Sequence, residues 1–138
     1  MPDCTADATW HGPVMDGDGD VSPGSGVWSG TYATPETADA TDPEELLAAS
    51  HASCFAMTAA YLLDQSGYDV VDVDASATVT LERTEAGFEI PSVRIAVDGV
   101  VPDATAEEFA AVVERAEAAC PVSTALAGTE IEVSTDFS

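Results

Sequence analysis

The stretch Ala40–Tyr68, ATDPEELLAASHASCFAMTAAYLLDQSGY, decides how the rest of this chain must fold. Asp42 is a good N-cap, Pro43 suits the first helical position, and Glu44 and Glu45 lie where acidic charge favours the positive end of the dipole. Gly67 stands where the helix should stop. Between Leu46 and Leu63 almost every residue is apolar or small on all faces, so the pattern predicts a helix buried all round. Such a helix must be covered from every side. A chain of 138 residues makes one domain, 1–138, with little left over for that cover, and part of it is expected from a second subunit.

The flanking sequence supplies candidate sheets. Upstream, TADATWHG and GVWSGTYAT carry the aromatic and Thr-rich alternation of strands, separated by the turn-like MDGDGD. Asp16, Asp18 and Asp20 resemble part of a calcium loop, but no Glu closes it and no helices flank it, so a solvated acidic turn is expected. Downstream, Ala75, Ala77, Val79 and Leu81 alternate with polar residues, as do Val93, Ile95 and Val97, which predicts two antiparallel strands joined around TEAG. The capping box Thr105–Glu108 opens a second helix with a Phe109, Val112, Val113, Ala116 stripe, interrupted at Pro121. PVSTALAG suits a short helical turn. EIEVSTDF closes the chain as a strand with Ile131, Val133, Thr135 and Phe137 on one face. This order is α+β.

The charge balance is extreme: 26 Asp+Glu against three Arg (Arg83, Arg94, Arg115) and no Lys, a net charge of -23. Such self-repulsion is screened when the Debye length shrinks to ~3 Å near molar salt, so the composition reads as adaptation to a salt-rich cytosol, as in salt-in halophiles. Three Arg build no basic patch, which argues against nucleic acid or an anionic membrane as partner. MPDCTADATW has neither a basic nor an apolar targeting region, and no apolar run is expected to approach the ~18 residues that span a bilayer. The expected location is cytoplasmic, where Cys4, Cys54 and Cys120 would be thiols.

Cys54 can be read two ways. A cysteine in an apolar helix is by default a small hydrophobe. Against that, His51 lies three residues earlier on the same face, where an imidazole could accept the thiol proton or, charged, support a thiolate. Cys120, at the end of an apolar stripe and before Pro121, is as readily packed as reactive, and Glu44 is explained as a helix N-terminal carboxylate. A zinc site of Cys54, Cys120 and His51 is an incomplete set, and neither metal nor cofactor is expected. Cys4 has no partner motif.

Taken together, DPEELLAASHASCF, the distant ACPVSTAL and the preceding VSPGSGVW resemble the OsmC/Ohr family of thiol-dependent hydroperoxide peroxidases, with SHASCF favouring the OsmC branch. The resemblance spans nearly the whole chain. It implies an α+β, intertwined homodimer whose central helices are wrapped by antiparallel sheets of both subunits. It implies Cys54 as the peroxidatic cysteine, Cys120 as the resolving one, and Glu44 as the carboxylate that orients an active-site Arg. It further implies organic hydroperoxide, and less surely hydrogen peroxide, as substrate and an external lipoyl-type dithiol as reductant. The family's Arg precedes the helix, but GTYATPETADATDPEE contains no Arg or Lys, which leaves His51 as candidate thiolate support. The same departure keeps open a non-catalytic redox sensor or small-ligand-binding dimer.

Overall fold

The computed structural model describes residues 2–137, in the order β1 (Ala6–His11), β2 (Asp18–Pro23), β3 (Gly30–Tyr32), α1 (Pro43–Gln65), β4 (Asp72–Thr84), β5 (Gly87–Val100), α2 (Ala106–Ala119), α3 (Pro121–Ala125) and β6 (Glu130–Thr135). The chain groups into two compact units, Met1–Leu46 and Leu47–Ser138.

In the N-terminal unit, β1, β2 and β3 form an antiparallel sheet in that order. The acidic stretch is less of a turn than its composition suggests. The chain reverses over residues 12–17, and Asp18 and Asp20 already belong to β2, where Asp18 pairs with His11. Glycine is required at position 19, because a side chain there would collide with the Thr9 carbonyl and the Tyr32 ring. The Tyr32 ring packs on Trp10 at 5.4 Å between centroids. Residue Ala33 donates its N–H to the Thr41 carbonyl at 2.9 Å, which brings the chain to the start of α1. There Asp42 Oδ1 accepts the Glu45 N–H at 2.8 Å, the expected N-cap, and Thr41 Oγ1 donates to Glu45 Oε1 at 2.8 Å.

The C-terminal unit holds the core. Helix α1 stops as expected: Gly67 has φ +88°, with Tyr68 N–H on the Leu63 carbonyl at 3.1 Å and Gly67 N–H on the Asp64 carbonyl at 3.0 Å, a Schellman motif. Within one chain its cover is partial. Only the stripe His51, Phe55, Ala59, Leu63 is buried, at four-residue spacing, while Met57 and Tyr61 are 70% and 61% exposed. By length and composition α1 is also apolar enough to cross a bilayer, contrary to the sequence expectation, because its alanines add to the Leu and Phe residues. Phe55, Ala59 and Leu63 of its stripe share one core cluster with Val93, Ile95, Val97, Phe109 and Val113.

Strands β4 and β5 pair antiparallel, and the expected alternation holds: Val93, Ile95 and Val97 are buried while Arg94, Ala96 and Asp98 are exposed. The register shifts between Thr80 and Glu82, opposite Pro91, which has no N–H to give the ladder. Strand β6 adds to β5 in parallel, because α2 and α3 carry the chain back across the sheet. Helix α2 begins with its capping box, Glu108 N–H on Thr105 Oγ1 at 3.1 Å and Thr105 N–H on Glu108 Oε1 at 2.9 Å. Phe109, fully buried, stacks on Phe137 with centroids 4.2 Å apart.

Candidate active site

Helices α1 and α2 each deliver one thiol to the same place. Cys54 and Cys120, 66 residues apart in sequence, have their sulfurs 3.3 Å apart, with Cys120 Sγ–H donating to Cys54. Both are free thiols. A disulfide needs about 2.05 Å between sulfurs, so closure requires an approach of about 1.3 Å. Cys54 is half-buried, whereas Cys120 is completely buried.

The two backbone settings differ. Cys54 sits in the interior of a 23-residue helix, where amides are committed to carbonyls one turn back. Cys120 is the C-cap of α2 and the N-cap of α3, with extended φ −69° and ψ 117°. Pro121 at the first position of α3 makes that junction, since it cannot continue α2 but is suited to start a helix. Burial pushes the Cys120 thiol up. The Ser123 amide and hydroxyl, the Cys54 thiol and the Val122 amide favour the thiolate and outweigh it, so the Cys120 pKa lies below the usual thiol value. No side-chain capping hydrogen bond forms at this position; the amides act from close by on the sulfur.

His51 is on the buried stripe of α1, and its Nε2 meets Ser123 Oγ at 2.7 Å. Its Nδ1 is buried with no hydrogen-bond partner among the described residues. Burial pushes the His51 pKa down, which disfavours the imidazolium that sequence reasoning put forward as thiolate support. The direct partner of the ring is a serine rather than a sulfur.

Ser123 was not among the residues singled out from sequence, although its signal is present. In CPVS a cysteine precedes the helix-starting proline and a serine follows three residues later, the spacing of an N-cap and its N3 neighbour. Glu44 belongs to the N-terminal unit, where with Trp10, Tyr32 and Pro43 it lines an open cavity of about 230 Å³. Arg83, Arg94 and Arg115 are exposed on β4, β5 and α2. Cys4 is exposed in the N-terminal unit. Among the described residues no cluster of His, Cys, Asp or Glu has the geometry to hold a metal ion.

Comparison with known proteins gives a consistent picture. Residues 36–136 match the model of the family described as OsmC-like protein. The chain is 34% identical over 134 residues to peroxiredoxin OsmC of Escherichia coli, covering 94% of this chain and 92% of that one. It is also 34% identical over 102 residues to organic hydroperoxide resistance protein OhrA of Bacillus subtilis, covering 72% and 69%. Among solved structures, an organic hydroperoxide resistance protein OsmC from Legionella pneumophila superposes with TM-score 0.79 at 28% identity, over 96% of both chains. OhrB of Bacillus subtilis superposes with TM-score 0.74 at 26% identity, over 97% and 98%.

Proposed function

This chain belongs to the OsmC/Ohr family, and on that footing we propose that it is a thiol-dependent peroxidase that reduces organic hydroperoxides, with hydrogen peroxide as a second candidate substrate. The observation that carries this reading is the half-buried Cys54 sulfur 3.3 Å from the buried Cys120 sulfur. The accessible thiol meets the peroxide, and the sheltered one waits behind it.

In the first step the Cys54 thiolate attacks the distal peroxide oxygen. The O–O bond breaks, an alcohol leaves after taking up a proton, and Cys54 becomes a sulfenic acid. In the second, the Cys120 sulfur attacks the Cys54 sulfur, the S–O bond breaks, and water leaves as the disulfide forms. An external dithiol of the lipoyl type then returns two electrons and two protons and is itself oxidised to a disulfide. Glu44 is assigned to positioning the peroxide. The chain acts as one domain in a cytoplasmic homodimer, the second copy covering the open face of α1 around Met57 and Tyr61. The acidic surface suits molar salt.

A redox-sensing thiol pair is the second reading. It is favoured by one observation: none of the three arginines lies in the segment before α1. Consumption of cumene hydroperoxide with dihydrolipoate in molar salt separates the two. Turnover in the native chain, lost in Cys54→Ser, supports the peroxidase. Ready formation of the Cys54–Cys120 disulfide by diamide, with no peroxide turnover, would sink it in favour of sensing.

A further inference from the structure

Cys120 is buried at a junction where burial alone opposes its ionisation, yet it must act as a nucleophile if Cys54 is the peroxidatic thiol. Two fully or nearly fully buried groups stand behind it. His51 Nε2 is 2.7 Å from Ser123 Oγ, Ser123 is the third residue of the helix that Cys120 N-caps and its hydroxyl favours the Cys120 thiolate, and the Cys120 sulfur is 3.3 Å from Cys54 Sγ. His51 and Ser123 are 0% and 5% exposed.

The unpartnered His51 Nδ1 fixes the direction of this line. A proton on Nδ1 would bury an N–H with no acceptor among the described residues, and orphaned buried N–H groups are rare because each costs about 1–3 kcal/mol. An imidazolium would do the same and add a buried charge. The remaining form carries its proton on Nε2. That N–H uses Ser123 Oγ as acceptor, and the serine proton is then free to point away from the ring.

We propose that His51 and Ser123 are positioning residues for the resolving thiol: neutral His51 pins Ser123 through Nε2–H, and Ser123 Oγ–H is thereby held on Cys120 Sγ, stabilising its thiolate for attack on the oxidised Cys54. His51 therefore acts through Ser123 and as a donor, without taking a proton. The catalytic part of the proposal rests on the peroxidase reading, but the hydrogen-bond line does not. The titratable groups facing Cys120 are Cys54 directly and His51 through Ser123; no charged side chain is among the groups that shift it.

The test uses the full chain in molar salt. In a Cys4→Ser, Cys54→Ser background with 13Cβ-labelled cysteine, Cys120 is the single thiol, and its chemical shift follows its ionisation without requiring reagent access. Ser123→Ala should move the titration to higher pH, and Ser123→Thr, which restores a hydroxyl, should return it. The 15N shifts of His51 should show a protonated Nε2 and a bare Nδ1. An unmoved titration in Ser123→Ala, or a protonated Nδ1, overturns the proposal. In the native cysteine background, after one equivalent of cumene hydroperoxide, the Cys54 sulfenic acid trapped by dimedone should persist at least about tenfold longer in Ser123→Ala, as expected for loss of one charge-assisted hydrogen bond. An unchanged lifetime overturns the resolving role. If no variant consumes peroxide while the titration still moves, the peroxidase reading fails and the hydrogen-bond line stands.

Discussion

The middle of α1 and the junction between α2 and α3 carry the same functional group in opposite circumstances. Cys54 is reachable but surrounded by a helix whose amides are already spent on one another. Cys120 is completely buried, but the chain breaks helix there, and the broken helix turns the Val122 and Ser123 amides toward the sulfur. The difference teaches that access and support come from different kinds of local structure. A regular helix can present a thiol, but it has little backbone polarity left to give it. A helix end supplies that polarity because its first amides have no carbonyl partners. The fold joins one thiol of each kind at 3.3 Å.

The largest test of this contrast is to delete each sulfur in turn. Cys54→Ser should abolish thiol-dependent peroxide consumption, a loss of several orders of magnitude as expected for removing a nucleophile. Cys120→Ser should still consume one equivalent of peroxide in a single turnover but form no intramolecular disulfide. Mass spectrometry after stoichiometric oxidation reads both outcomes, and equal behaviour of the two variants would break the contrast.

Next in size is the anchorage of α2. Phe109→Ala removes a fully buried ring stacked on Phe137 and should cost about 3–5 kcal/mol in urea unfolding at constant salt. Disulfide closure should slow with it, since α2 sets the position of Cys120. A variant that loses this much stability and still closes the disulfide at the native rate would show that the junction holds Cys120 without its helix.

A smaller effect is set by protonation. His51 has an ordinary value of 6.5 and a lower one when folded, because burial disfavours its charged form. Above pH 6.5 the ring is neutral in both states. As pH falls through 6.5 the unfolded chain takes up the proton first, so stability drops until the folded ring also titrates. Between pH 7.5 and 5.5 the unfolding free energy should therefore decline more steeply in the native chain than in His51→Gln. Parallel curves would mean that the ring takes up its proton in the fold as readily as in the unfolded chain, contrary to its buried place behind Ser123.

The smallest effect is expected at the far end of α2. Thr105→Ala removes one half of the capping box and should cost about 1 kcal/mol. It should leave the Cys54–Cys120 closure rate nearly unchanged, because the helix end that matters is the other one.

Much of this architecture was legible in particular residues. Asp42 and Gly67 bound α1, Thr105 and Glu108 cap α2, and the Val93, Ile95, Val97 alternation marks the buried face of β5. These are local signals, each decided by a residue's own backbone preference or by a period of two. Strand β2 was not legible, since Asp18, Gly19 and Asp20 have little strand propensity and are held there by β1 and β3. The parallel pairing of β6 with β5 was equally hidden. For the site, CPVS and SHASCF marked the two thiols through resemblance, but spacing alone left Cys54 as readily packing as chemistry. For Ser123 the sequence offered only its N3 spacing after Cys120, because its partner His51 lies 72 residues away.

The sequence by itself determined where the helices begin and end, which strand faces are apolar, that the chain is strongly acidic, and that a cysteine stands in each of two helical segments. Tertiary structure alone decided that those cysteines meet, that one is sheltered and the other open, and that a buried imidazole turns to a serine instead of a thiol. Local propensities act over a few residues. Which sulfur loses its water, and which amides replace it, depends on packing between α1 and the end of α2, and so on contacts that no stretch of sequence contains.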